Sequence, residues 1–155
     1  MGEVFKPDRL NAATRAMLEH AGWWPERHVD MARKVREFAD WGLPMHPLAR
    51  SVLEALHGLT VEPVGLDGAN FYVDTLRFDP DLATEQEILT ELDDRFGPLG
   101  FFPVALMHVD GLYVSARGTT VCHTQWEHWL VAESFEEALD RLICLTGEVQ
   151  RFTRP

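Results

Sequence analysis

The sequence predicts a single α+β domain: N-terminal helices, a mainly antiparallel sheet with one inserted helix, and a closing C-terminal helix. Three observations predict it. Helix signals ending at glycines fill the chain up to Gly58. The apolar runs after Gly100 are joined by tight-turn signals and lack the interleaved helices of a parallel sheet. Capping boxes at Thr84-x-x-Glu87 and Ser134-x-x-Glu137 open one helix among the strands and one after them. At 155 residues and 46% hydrophobic, the chain suffices for one sizeable core. One domain over residues 1–155 is expected, with its core at about 10–147 and a tail from 148 to 155.

The first helix is expected from about Arg9 to Ala21, with Asp8 as its cap and Gly22 as its end, because glycine tolerates the left-handed conformation there. Trp23 should fold back onto the core, and Pro25 holds Trp24 extended. Met31, Val35 and Phe38 recur at helical spacing and predict a second helix over Asp30–Trp41, stopped by Gly42. Pro47 opens a third helix, with Leu48, Val52, Leu53 and Leu56 on one face and Gly58 as its end.

Val61–Val64 reads as a short strand whose Pro63 marks a sheet edge. Asn70–Phe78 is a stronger strand. The helix after Thr84 turns Ile88, Leu89 and Leu92 inward and closes at Gly97-Pro98. Val104–Val109 and Leu112–Ala116 form a hairpin around Asp110-Gly111. Arg117-Gly118 is a further turn, and strands over Thr119–His123 and Gln125–Val131 complete a meander. The helix after Ser134 runs to about Leu145 and ends by Gly147.

Charge is distributed unevenly. Net charge is −11, but residues 1–50 carry 7 acids and 8 bases, whereas residues 51–155 carry 18 acids and 6 bases. Such a surface repels nucleic acid and attracts a basic partner; it equally serves plain solubility. No run is long and apolar enough to span a membrane, and Met1–Pro7 lacks a signal pattern, so a cytoplasmic protein with Cys122 and Cys144 reduced is expected.

No catalytic constellation emerges. Ser51, Ser115 and Ser134 lack a nucleophile-elbow context, and no glycine-rich phosphate loop or cofactor motif is present. Cys122, His123 and His128 are the densest zinc-type donors. Adjacent Cys122 and His123 point to opposite faces of a strand, so no metal site is expected from them. Asp79 and Asp81, around Pro80, read as a turn with helix-favoured acids.

Two features point to partner binding. Asp79, Asp81, Glu85, Glu87, Glu91, Asp93 and Asp94 form a dense acidic run, which suits either the solvated face of a helix or a docking surface for a basic protein. Trp126 and Trp129 fall on opposite faces of a strand, so one belongs to the core and the other is an exposed anchor. The Trp23-Trp24 pair divides likewise, with Trp24 exposed. Candidate contact residues are therefore Asp79, Asp81, Glu85, Glu87, Glu91, Asp94, Trp24, Trp126 and Trp129.

Several short motifs recur in a fixed order: Ala21-Gly22-Trp23-Trp24-Pro25-Glu26-Arg27, Leu56-His57-Gly58-Leu59, Phe78-Asp79-Pro80, Pro98-Leu99-Gly100, Asp110-Gly111-Leu112-Tyr113, and Glu137-Ala138-Leu139 with Leu142. Together they resemble the third subfamily of SUKH immunity proteins, over roughly residues 10–150. The family's paired glycine is here His57-Gly58, and Glu133 replaces a small residue. The resemblance implies a non-enzymatic protein without cofactor that binds and blocks one cognate bacterial toxin domain, often a nuclease or deaminase. It implies structural roles for Gly22, Trp23, Pro25, Arg27, Gly58 and Pro80. A regulatory protein-binding module on the same fold is the alternative. A metal-dependent hydrolase would require Asp79, Asp81 and histidines to converge.

Overall fold

The computed structural model describes residues 2–63, 75–83, 85–144 and 149–155. Among the described residues, five α-helices and seven strands make an α+β domain: α1 (Ala12–His20), α2 (Ala32–Asp40), α3 (Pro47–Leu56), β1 (Thr60–Val61), β2 (Leu76–Arg77), α4 (Gln86–Phe96), β3 (Phe102–Met107), β4 (Asp110–Val114), β5 (Thr120–His123), β6 (Glu127–Ala132), α5 (Phe135–Ile143) and β7 (Gln150–Thr153). The strands form one antiparallel sheet in sequence order, β1 to β7. No helix among the described residues is long and apolar enough to cross a membrane.

Strand alternation divides the apolar residues between the two sheet faces. Leu112, Val114, Cys122, Trp129 and Val131 join Leu18, Phe38, Leu53 and Leu139 in the main core, so α1, α2, α3 and α5 cover one face. Tyr113 and Val121 point the other way and meet Leu89 and Leu92 of α4. The inserted helix thus covers the opposite face, with Ile88, Leu89, Leu92 and Phe96 as its apolar stripe.

Local signals account for the helix ends. Asn11, not Asp8, caps α1: its side chain accepts from Thr14 N at 2.7 Å, and Asp8 lies in a separate short 3-10 helix, Pro7–Arg9. Gly22 follows α1 at φ 113°, and Trp23 N returns to Leu18 O at 2.9 Å, which buries the Trp23 ring. The second helix starts at Ala32 rather than Asp30, because the Asp30 carboxylate accepts from Ala32 N just ahead of it. His46 caps α3 through Nδ1, and Ser134 caps α5. The predicted box at Thr84 lies outside the described residues; Glu85 occupies the cap position of α4 without a side-chain cap bond.

The family-like motifs meet one another. Arg27 donates to the carbonyls of Ala55 at 2.6 Å and His57 at 2.8 Å, closing the end of α3. Gly58 N donates to Phe78 O at 2.9 Å and Phe78 N to Leu59 O at 3.0 Å, tying the second motif to the third. Pro80 is buried beside them.

Three strand expectations change. The β3–β4 turn is His108-Val109, with His108 at φ 58°, not Asp110-Gly111. Those two residues pair with Met107 and Leu106, and the Tyr113 ring lies over Gly111, where a Cβ would come 2.6 Å from the phenol oxygen. The first strand is only Thr60–Val61, at the sheet edge as Pro63 suggested; of Asn70–Phe78, residues 70–74 and the end signal at Gly147 lie outside the described residues. The expected tail is strand β7, paired along β6 from Glu127–Thr153 to Leu130–Gln150. Helix α5 therefore does not close the fold.

Candidate functional site

The chain reverses between β5 and β6 through Thr124, Gln125 and Trp126. Thr124 organises this turn. Its hydroxyl accepts from Glu127 N at 2.9 Å and Trp126 N at 3.3 Å, and its own N–H donates to Glu127 O. The turn therefore holds Trp126 outward, 72% exposed. Trp129, three residues on, is only 6% exposed and faces the main core, with its indole N–H on Glu127 at 2.6 Å and the Arg151 guanidinium over its ring. Trp129 is thus the core member of the pair, and its place among the exposed contact candidates is corrected.

Beyond β7, Arg154 reaches back over this turn. Its N–H donates to Trp126 O at 3.1 Å and its guanidinium to Gln125 O at 3.0 Å. The same guanidinium grips Glu91 of α4 bidentately, at 3.0 Å and 2.7 Å. Glu91 also receives His128 Nε2 at 3.1 Å and lies 3.4 Å from His123 Nε2. His123 and His128 are register partners on β5 and β6, and their shared face turns toward α4. One nitrogen of each ring and a Glu91 oxygen all lie within 4.8 Å of one another. Arg95 donates to Thr153 O and covers Phe152, whose ring meets Phe96 edge-on at 5.6 Å.

The electrostatics follow from this geometry. The hydrogen bond from Arg154 is the main cause that holds the Glu91 carboxyl down at about 2. Burial lowers both histidines from their ordinary value, His123 being further opposed by the Arg154 charge. Glu91 raises Arg154, with help from the nearby charges of Glu85 and Glu87. Among the described residues, two buried imidazole nitrogens, His123 Nε2 and His128 Nδ1, make no hydrogen bond.

The predicted site residues separate into groups. Glu85, Glu87 and Glu91 come to the Arg154–Trp126 end of the sheet. Glu85 and Glu87 are exposed, whereas Glu91 is only 26% exposed and committed to Arg154, so it is a buttress of the fold rather than an open docking charge. Asp79 and Asp81 lie elsewhere: Asp79 accepts from Asp81 N, forming the expected turn, and Asp81 pairs with Lys34 of α2. They do not converge with the histidines. Asp94 is exposed on α4, and its charge adds to the burial that raises Asp93. Trp24 is 52% exposed, with the Arg27 guanidinium 6.0 Å from its ring centre. Cys122 faces the main core, on the opposite side of the sheet from His123, as the alternation required. Sequence reasoning missed Arg154 and the convergence of Glu91 with two histidines. The signal for the histidines was present: a turn centred on Gln125 and Trp126 puts His123 opposite His128.

No curated protein and no solved structure matches the chain. The family model for the SUKH-3 immunity protein matches residues 10–144. That span runs from the entry into α1 through the end of α5, so the motif-bearing helices, the sheet up to β6 and the inserted helix lie within the match, and the chain belongs to the SUKH-3 immunity protein family.

Proposed function

We propose that the protein acts in the cytoplasm as a stoichiometric inhibitor, binding one cognate toxin domain and blocking it without chemistry of its own. Membership of an immunity protein family carries this reading. We infer further that the toxin domain is basic and acts on nucleic acid, as a nuclease or a deaminase. The net charge of −11 and its concentration after residue 50 support that choice, since opposite fields speed encounter and a surface of this sign repels nucleic acid itself.

The docking surface we assign is the end of the sheet where Trp126 stands beside the acids of α4. A large exposed aromatic on a fixed turn suits an interface anchor, and Glu85 and Glu87 supply the charge around it. Asp81 pairs with Lys34 and Trp24 lies by Arg27, so these two and Asp79 are left out of the proposed patch, whereas Asp94 follows Glu87 and Glu91 on the same face of α4.

Co-expression with the C-terminal domain of a large secreted protein encoded next to this one tests the reading. Rescue of growth and recovery of a one-to-one complex are expected. Trp126→Ala should lower affinity at least about tenfold, and Glu85→Lys with Glu87→Lys should slow association and flatten its salt dependence. Failure of rescue and of complex formation with an active toxin would refute inhibition by binding. Rescue with unaltered affinity in all three substitutions would move the interface elsewhere.

A further inference from the structure

We propose that Glu91, His123 and His128 form a binding site for a divalent first-row transition ion, zinc foremost, tying α4 to β5 and β6. The donors are two imidazoles and one carboxylate. This mixed nitrogen–oxygen set suits zinc, cobalt or nickel, whereas calcium and magnesium call for oxygen donors.

Two of the three donor pairs have the spacing of one shared ion, and the two imidazole nitrogens lie within 4.8 Å of each other. Ligand atoms about 2.1 Å from a tetrahedral ion stand about 3.4 Å from one another. Here His128 Nε2 and His123 Nε2 lie 3.1 Å and 3.4 Å from Glu91 Oε2.

The second, independent observation is His123 Nε2 itself. It is buried, lies 3.4 Å from the Glu91 carboxylate and makes no well-formed hydrogen bond among the described residues. Buried polar atoms are rarely left so, and an ion between the three donors would satisfy it. Arg154 then acts as the outer partner of the ligating carboxylate, a common arrangement around bound metals. Its positive charge and that of Arg95 oppose a cation, and Glu85 and Glu87 offset them. Three protein ligands leave a fourth position for water. His128 Nδ1 has no acceptor for the proton it would carry once Nε2 binds an ion, so micromolar rather than nanomolar affinity is expected.

The test uses the full chain, stripped with a chelator and titrated with Zn²⁺ or Co²⁺ alone. One equivalent should bind. Free zinc at about 100 times its Kd should raise the melting temperature by about 5–10 °C. Cobalt should give tetrahedral visible absorption without a thiolate charge-transfer band, since Cys122 faces away. His123→Asn, confirmed folded by its metal-free circular dichroism and melt, should abolish both effects; Glu91→Gln is the second variant should His123→Asn not fold. No binding by the wild-type chain would overturn the proposal. So would binding left intact in the folded variant, which would place the ion on surface histidines. The outcome is independent of toxin binding.

Discussion

Replacing Glu91 by Gln keeps the shape of the side chain and removes its charge. In the native fold the carboxyl is held from its ordinary 4.5 down to about 2, chiefly by Arg154. A carboxyl held that far down, and partly exposed to solvent, stabilises the fold by about 2–3 kcal/mol at neutral pH. A folded-state value below the unfolded one means that this stabilisation is fully present above pH 4.5 and disappears as pH falls toward 2. Chemical denaturation in chelator, which keeps any metal effect out of the comparison, should therefore give a wild-type advantage of about 2–3 kcal/mol at pH 7, shrinking steadily below pH 4.5. The two neutral histidines add a separate acid sensitivity to both proteins. They take up protons on unfolding once pH drops below 6.5, so stability declines there too. The groups facing one another are Glu91 and Arg95 from α4, His123 from β5, His128 from β6 and Arg154 after β7. Equal stability of Glu91→Gln and wild type at pH 7, or a gap that persists undiminished near pH 2, would refute the Glu91–Arg154 clasp.

Trp23→Ala should cost about 3–5 kcal/mol, because the ring is buried in the main core; denaturant melts check this, and an unchanged midpoint would contradict the burial. Deleting residues 150–155 should cost at least about 3 kcal/mol, since it removes the Phe152 contact with Phe96 and both Arg154 contacts with Glu91. Amide exchange along β6 should accelerate in that truncation, whereas a mere tail would leave both stability and exchange unchanged.

The parts of the fold legible in the sequence are those fixed by neighbours along the chain. Gly22 ends α1, and Ser134 caps α5, because each motif acts within one helical turn. The division of Trp126 from Trp129, and of Cys122 from His123, follows from the two-residue period of a strand alone. The Asp110-Gly111 turn misled because a hairpin is decided by register as well as by turn chemistry. Alternation alone does not choose the turn, because either register keeps Leu112 toward the helices and Tyr113 toward α4; the one adopted pairs Asp110 with Met107 and Gly111 with Leu106 and leaves His108-Val109 as the turn. Strand β7 was hidden for a related reason. Gln150–Thr153 has little apolar content, and its partner β6 lies about twenty residues back, beyond a helix. The Glu91–His123–His128–Arg154 cluster needs three such non-local facts at once: the face α4 covers, the β5–β6 register and the presence of β7.

The proposed docking surface would join stability and binding at this end of the sheet. Trp126 is the most exposed of the five tryptophans, yet its backbone is held on both sides, by Thr124 within the turn and by Arg154 from beyond β7. Arg154 in turn is held by Glu91, which the apolar stripe of α4 fixes against the sheet. An anchor on a backbone already in place loses less conformational freedom on binding than one on a loose loop. On the proposed surface, the two kinds of acid on and just ahead of α4 would therefore act at different stages. Glu85 and Glu87, both exposed, would act through space on the encounter. Glu91 holds Arg154 and through it the turn, and on the proposed surface it would thereby affect how long a partner stays. A charge substitution at Glu91 that weakened a complex would for this reason report on the turn, and only Glu85 and Glu87 report on the field.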